Sequence, residues 1–120
     1  MQNGIVHACH SVAEYHAILQ SAEDRLLVVD CYAPWCPPCR QMEPVFQKLA
    51  TEYTDIVFVK VNIDQVPEIQ RILGVWALPT FCFLRFGEKT GSFMGASIQK
   101  LHDGLENNGY VSFCSSCEIS

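Results

Sequence analysis

The order of apolar and polar residues along the chain predicts helices and strands in alternation. Near the start, Ser11 and Glu14 stand three residues apart, which is typical of the first turn of a helix. Apolar residues at helical spacing follow: Val12, Tyr15, Ile18 and Leu19. The stretch 26–33 is instead an almost unbroken apolar run, which predicts a strand covered on both faces.

The pattern continues with a long helix predicted over 39–53 and a second buried strand over 55–64. Pro67 and Gly74 then mark the start and the end of a short helix.

The last part of the chain predicts two strands joined at Gly87 and Glu88, which form an antiparallel hairpin. A final helix carries Ile98, Leu101 and Leu105 on one face. After the first helix, the order β-α-β-α-β-β-α predicts an α/β fold in which a mixed sheet lies between helices.

Composition and charge narrow the class of protein. The chain has 120 residues, 49% of them hydrophobic, which suits one globular domain with a single core. Its 8 basic and 13 acidic side chains give a net charge of −5. This balance argues against a nucleic acid or an anionic membrane surface as the main partner, so a protein or a small thiol is expected.

The cysteine count bears on the compartment. The start of the chain lacks the features of a secretory signal, and no stretch has the length of a membrane span, so we expect a cytoplasmic protein. Thiols are kept reduced there, and seven cysteines, an odd number, do not indicate a disulfide framework. Each cysteine therefore has to be interpreted separately.

Two cysteines enclose two consecutive prolines where the long helix begins, in the order Cys36, Pro37, Pro38 and Cys39. If Cys36 is the N-cap, both prolines fall in the first turn, where backbone N–H groups have no helical partner. The Cys36 sulfur would then face the positive end of the helix dipole and the amide of Cys39. Because both effects favour the thiolate, the pattern predicts a reversible dithiol.

A zinc site and a permanent disulfide are the alternatives for this pair. Zinc normally takes four ligands, and the other C-x-x-C of the chain, Cys114 and Cys117, stands at its far end. A permanent disulfide is uncommon in a reducing compartment. We therefore expect neither a metal nor a cofactor.

Two charged residues stand inside predicted buried strands. Asp30 follows Leu27, Val28 and Val29, and burial of its carboxylate should raise its pKa. An acid with a raised pKa below a dithiol is a candidate general base for Cys39. Lys60 interrupts the other apolar strand and is the expected partner of Asp30, although both side chains could instead reach solvent at the strand ends.

Three segments together resemble the thioredoxin family: "VVDCYAPWCPPCRQMEP", "KVNIDQVPEIQRILGVWALPTFCF" and "GEKTGSFMGA". The family motif is Trp-Cys-Gly-Pro-Cys, and Pro37 stands here in place of its glycine, as in the related tryparedoxins. The resemblance implies a thioredoxin fold, with a central mixed β-sheet flanked by helices on both faces.

The resemblance also implies a role for each cysteine of the pair. Cys36 matches the exposed nucleophile that attacks a substrate disulfide, and Cys39 matches the buried thiol that resolves the mixed disulfide. Asp30 and Lys60 complete the expected catalytic set.

A substrate-binding groove is implied around the pair. Trp35 matches an aromatic wall beside the nucleophile, with ordinary packing as the less favoured alternative. Pro79 matches a cis-proline that faces the cysteines. The other expected members of the groove are Pro37, Pro38, Trp76, Leu78, Gly95 and Ala96, and a core position is the alternative for Trp76.

The implied activity is protein-disulfide reduction. The expected electron donor is an NADPH-dependent flavoprotein thioredoxin reductase, and the expected acceptors include peroxiredoxins, methionine sulfoxide reductases and ribonucleotide reductase. Two alternatives stay open: a tryparedoxin-like carrier reduced by a small dithiol, and a redox-switched binding module. We expect a monomer that oxidants could link into a dimer.

The remaining cysteines carry weaker signals. Cys31 and Cys82 are expected in the core, and Cys9 with two nearby histidines makes a poor metal site. The expected domain covers 1–108, followed by an extension over 109–120. Cys114 and Cys117 of this extension are interpreted as a chance pair, an auxiliary dithiol or, least of all, a zinc ligand pair.

Overall fold

The computed structural model describes residues 3–110, which form five strands and four helices. The strands are β1 (Val6–Cys9), β2 (Leu27–Tyr32), β3 (Val57–Asn62), β4 (Thr80–Arg85) and β5 (Glu88–Met94). The helices are α1 (Val12–Ala22), α2 (Pro37–Glu52), α3 (Glu68–Leu73) and α4 (Ile98–Glu106).

The strands form one mixed sheet in the order β1-β3-β2-β4-β5. β1, β3 and β2 run parallel, whereas β4 is antiparallel to β2 and β5 is antiparallel to β4. One apolar cluster packs α1 and α3 against the sheet, and a second packs α2 and α4 against it. The predicted α/β architecture, a central mixed sheet with helices on both faces, is confirmed.

Alternation along β2 decides which of its residues face the helix that begins at the cysteine pair. Val29 and Cys31 belong to the cluster on the side of α1, whereas Val28 belongs to the cluster that contains Phe46 of α2. Since successive residues of a strand point to opposite faces, Asp30 lies on the same side as Val28. The buried acid is therefore placed between the sheet and α2.

The first strand is missing from the predicted order, which is wrong at this point. β1 has four residues, lies at the edge of the sheet, and includes the half-buried His7. So short a segment with a polar residue inside it lacks the apolar run or strict alternation that predicts a strand. The segment forms a strand because it pairs with β3, where Val6 lies opposite Phe58.

The hairpin turn lies one residue earlier than predicted. Phe86 and Gly87 connect β4 to β5, and their φ angles of 56° and 77° are both positive. Two-residue hairpin turns with this conformation match the twist of the strands they join. Phenylalanine rarely adopts a positive φ, and for this reason the sequence pattern places the turn at Gly87 and Glu88 instead.

Candidate active site

The cysteine pair lies at the first turn of α2, directly after β2. Cys36 is the N-cap residue, and its Sγ accepts a hydrogen bond from the backbone N–H of Cys39 at 3.3 Å. Pro37 and Pro38 occupy the first two helical positions, so their missing N–H groups interrupt no helical hydrogen bond. The two cysteines form a disulfide, with their Cα atoms 5.2 Å apart. The predicted N-cap geometry is confirmed.

The two cysteines differ in the cavities they line rather than in their exposure. In the disulfide form Cys36 and Cys39 are each only 4% exposed, so whole-residue exposure does not distinguish them. Ala33, Tyr32 and Leu78 pack around the pair. Cys36 lines a surface groove of about 500 Å³, whereas Cys39 lines a separate cavity of about 270 Å³ between α2 and the sheet.

Tryptophans form the sides of the surface groove. Trp35 is 65% exposed, and its Nε1 donates a hydrogen bond to Asp64 Oδ2 at 2.8 Å. Trp76 is 77% exposed, which rules out the core position considered for it. The side chains of both tryptophans are thus open to contact with a partner, and packing within the core accounts for neither.

A cis-proline follows Leu78, which packs against the cysteine pair. The peptide bond between Leu78 and Pro79 is cis, as the resemblance implies. The Pro79 carbonyl accepts a hydrogen bond from the N–H of Gly95 at 2.8 Å, which joins the loop before α4 to the residue that follows Leu78 of the groove lining. Gly95 has a φ of +99°, and a Cβ atom there would meet nothing within 4 Å, so backbone conformation rather than space requires the glycine. Ala96 beside it is exposed.

Asp30 lies at the base of the cavity that Cys39 lines. Its side chain is 4% exposed, and Oδ1 has no hydrogen-bond partner in the described part of the chain. Burial, and after it the negative charge of Glu43, raises the pKa of Asp30 to about 7, while Lys60 acts in the opposite direction. The predicted buried acid with a raised pKa is confirmed.

The expected ion pair between Lys60 and Asp30 does not form. The two residues lie opposite each other in the register of β2 and β3, but Lys60 Nζ lies 3.4 Å from Glu43 Oε2. The ammonium also lies 5.9 Å from the centre of the Tyr32 ring. Lys60 is therefore held at the mouth of the cavity, and Asp30 lacks its direct partner.

Glu43 is the site residue that the sequence reasoning missed. It lines the same cavity as Cys39 and follows it by one helical turn, a spacing that places two residues on the same helix face. That spacing was the available signal. It could not indicate which residue of β3 the carboxylate would contact.

The other cysteines of the described residues lie in the hydrophobic core. Cys31 and Cys82 are fully buried between the sheet and α1, as predicted, and Cys9 is buried beside them. Between residues 3 and 110, no group of three or more histidine, cysteine or acidic side chains is arranged to hold a metal ion. Cys114 and Cys117 lie outside the described residues.

Among residues 3–110, no helix combines the length and the apolar character required to cross a bilayer.

Comparisons with known proteins point to one family. The family model described as Thioredoxin matches residues 6–107. Thioredoxin H3 of Arabidopsis thaliana is 38% identical over 110 residues, which cover 90% of this chain and 93% of the relative.

Solved structures agree with this match. The thioredoxin NaTrxh of Nicotiana alata superposes with a TM-score of 0.84 at 32% identity, covering 92% of this chain and 97% of the other. A chain from a complex of ferredoxin:thioredoxin reductase with thioredoxin f2 gives a TM-score of 0.84 at 26% identity, covering 89% of this chain and 97% of its own length.

Proposed function

This chain belongs to the thioredoxin family and is a thiol-disulfide oxidoreductase that reduces protein disulfides, and from this premise we propose the role of each residue around its Cys36–Cys39 pair. Cys36 is the nucleophile. The observation that carries this assignment is its N-cap position, because the Cys39 amide and the helix dipole both stabilise a thiolate at the Cys36 sulfur.

The reaction proceeds in two exchanges. The Cys36 thiolate attacks one sulfur of the substrate disulfide, so that a Cys36–substrate bond forms and one substrate thiolate leaves. The Cys39 thiolate then attacks Cys36, which restores the Cys36–Cys39 bond and releases the second substrate thiolate. The substrate gains two electrons, and the cysteine pair loses them.

Asp30 accepts the proton of Cys39 in the second exchange. The two residues line one cavity, and the pKa of Asp30 near 7 suits a group that takes up and releases a proton at neutral pH. Lys60 lines the same cavity and supplies the positive charge that opposes the rise in this pKa.

The surface groove is the docking site for the substrate segment. It places Trp35 and Trp76 beside Cys36, with Pro37, Pro38 and Leu78 in its lining. The loop at Gly95 and Ala96 is joined to its edge through Pro79.

The electron donor is a thioredoxin reductase, which we propose to be an NADPH-dependent flavoprotein. A related thioredoxin f2 forms a complex with a ferredoxin:thioredoxin reductase, which supports a reductase partner in general. Peroxiredoxins are the proposed acceptors, and the protein acts as a monomeric electron carrier in cytoplasmic redox homeostasis.

The roles of the two cysteines are tested by serine variants. Cys36→Ser should abolish reduction of a protein disulfide, whereas Cys39→Ser should attack once and accumulate a mixed disulfide, detected by mass spectrometry. Equal trapping by both variants would contradict the assignment.

The donor is tested by supplying three reductants in parallel. NADPH with a thioredoxin reductase should support turnover of the wild-type protein, and glutathione should not. Turnover with a small dithiol but not with NADPH and the reductase would favour the tryparedoxin-like carrier. Failure with all three reductants would favour a binding module.

A further inference from the structure

The cavity beside Cys39 contains an ion pair between Lys60 and Glu43, and the proposed reaction gives no role to Glu43. Glu43 Oε2 lies 3.4 Å from Lys60 Nζ, and these two partly exposed side chains lie at the mouth of the cavity, with the buried Asp30 and Cys39 at its base. The exposed fractions of the two side chains are 27% for Lys60 and 53% for Glu43. The ion pair is thus partly open to solvent, whereas the Asp30 carboxyl is buried.

The strand register would allow a different arrangement. Asp30 and Lys60 lie opposite each other on neighbouring parallel strands, and the buried Oδ1 of Asp30 lacks any hydrogen-bond partner in the described chain. A buried carboxylate without a partner is costly, so an ammonium on the adjacent strand would normally turn toward it. Here the carboxylate of Glu43 holds that ammonium instead.

The charged and titratable groups around Asp30 come from three elements. Tyr32 lies on its own strand, Lys60 on β3, and Cys39, Arg40 and Glu43 on α2. Arg40 lines the cavity too, but its Nη1 donates to the Pro34 carbonyl at 2.8 Å, and the charges that shift the pKa of Asp30 are those of Glu43 and Lys60. Glu43 and Lys60 are therefore the two charges whose arrangement decides the electrostatic environment of Asp30.

We propose that Glu43 is a positioning residue for the resolving step: it holds the Lys60 ammonium at the cavity mouth, away from Asp30, so that Asp30 can take the Cys39 proton near neutral pH. This inference rests on the proposed role of Asp30 as the base. It assigns to Glu43 no contact with the reacting sulfurs. The negative charge of Glu43 acts on Asp30 in the same direction, as its contribution to the raised pKa of Asp30 indicates.

The proposal predicts how the rate of the resolving step changes with pH when Glu43 is removed. Without the Glu43 charge, Lys60 is free to approach Asp30, and Asp30 becomes a weaker base that stays ionised to lower pH. A weaker base is more often deprotonated at acidic pH but removes a proton less readily at alkaline pH. Loss of Glu43 should therefore speed the resolving step at low pH and slow it at high pH.

The test uses Glu43→Gln, which removes the charge and keeps the size and the helix propensity of the side chain. A symmetrical nitroaryl disulfide is the probe, because its first released thiol reports attack by Cys36 and its second reports resolution by Cys39. The second phase should be roughly 1.5-fold faster than wild type at pH 6 and slower at pH 8. The titration midpoint of the Asp30 carboxyl, followed by ¹³C NMR in the reduced protein, should move to lower pH.

Two further substitutions serve as controls. Glu52→Gln removes another exposed charge about 14 Å farther along α2 and should leave both readouts unchanged. Lys60→Met should shift the midpoint to higher pH, and Glu43→Gln in that background should shift it less than in the wild type. An equal shift in both backgrounds would mean that Glu43 acts without Lys60, and would overturn the inference.

Asp30→Asn separates this inference from the function on which it rests. If Asp30→Asn leaves the pH profile of the second phase unchanged, the proposed role of Asp30 fails. If Asp30→Asn removes the acidic limb of that profile and Glu43→Gln does not move it, only the role of Glu43 fails.

Discussion

Asp30 links the stability of the fold to pH because its proton affinity differs between the folded and unfolded states. Burial raises its pKa to about 7, whereas an unfolded chain holds an aspartate near 3.9. Between these two values the folded state binds a proton that the unfolded state has released. Stability therefore falls as the pH rises from about 4 to about 7, and the full cost is present above that range.

Asp30→Asn should accordingly stabilise the protein at pH 8 and change it little at pH 4. The expected gain at pH 8 is up to about 4 kcal/mol, since each pKa unit is worth about 1.4 kcal/mol. Urea unfolding of the disulfide form at the two pH values measures it. Asp55→Asn, which removes an exposed carboxylate, is the matched control, and an equal gain in that variant would assign the effect to net charge.

At the residue scale, the sequence was sufficient to predict those features that depend on residues close by in the chain. The N-cap role of Cys36 follows from four consecutive residues, and the burial of Asp30 follows from the apolar residues around it. The partner of Lys60 does not follow in this way. It depends on how α2 lies over β3, which places Glu43 within 3.4 Å of the ammonium and is a property of tertiary packing.

Close contact between α4 and β4 requires the absence of a side chain at Gly104. A Cβ atom built on this helical glycine would overlap the end of the Phe83 ring, and Phe83 is fully buried. The ring also packs near Phe93 of β5, with the ring centres 6.4 Å apart, so this neighbour restricts its movement. The approach of helix to sheet is thus set by this one small residue.

Gly104→Ala should therefore destabilise the protein by about 1–3 kcal/mol, the usual cost of overpacking a core. The direction of this change in stability is informative, because a glycine-to-alanine substitution at an open helix position would stabilise the protein by about 1 kcal/mol. Urea unfolding at pH 7 measures the difference. In a Phe83→Leu background the added methyl group should be tolerated much better, and a stabilising effect of Gly104→Ala alone would contradict the contact.

At the element scale, the long and strongly apolar segments were predictable and the short ones were not. β2 and β3 are buried on both faces, so their composition alone indicates strands. β1 owes its conformation to pairing with β3, and the hairpin turn at Phe86 depends on a positive φ that its residue type disfavours. In both cases the surrounding sheet overrides the local preference.

At the scale of the whole molecule, the site is assembled from segments far apart in sequence. β2 lies between β3 and β4, so the cysteine pair after β2 meets the segment at Pro79 that leads into β4. The hydrogen bond from Gly95 to Pro79 then adds the loop before α4. The resemblance to a known family could indicate these groove residues in advance, whereas periodicity alone indicated only a turn at Pro79.

The end of the folded domain can be placed from backbone contacts. Gly109 is buried with a φ of +93°, and its N–H donates to the Gly104 carbonyl at 2.7 Å. The N–H of Tyr110 donates to the Asn107 carbonyl at 3.2 Å. The boundary expected after residue 108 would cut through the hydrogen-bonded turn that follows α4, so we propose that the domain extends through Tyr110.

Two truncations test the boundary and the role of the segment that carries Cys114 and Cys117. A chain ending after Tyr110 keeps the pair of redox cysteines, both cavities and the end of α4, so its unfolding midpoint and disulfide reductase rate should match those of the full chain. A chain ending after Asn108 loses the hydrogen bond to Gly104 and should be about 1 kcal/mol less stable.

Under oxidant, the full chain should form more disulfide-linked dimer on non-reducing gels than the chain ending after Tyr110, because only the full chain retains the second C-x-x-C. If the chain ending after Tyr110 loses turnover while its stability is unchanged, Cys114 and Cys117 belong to the electron path.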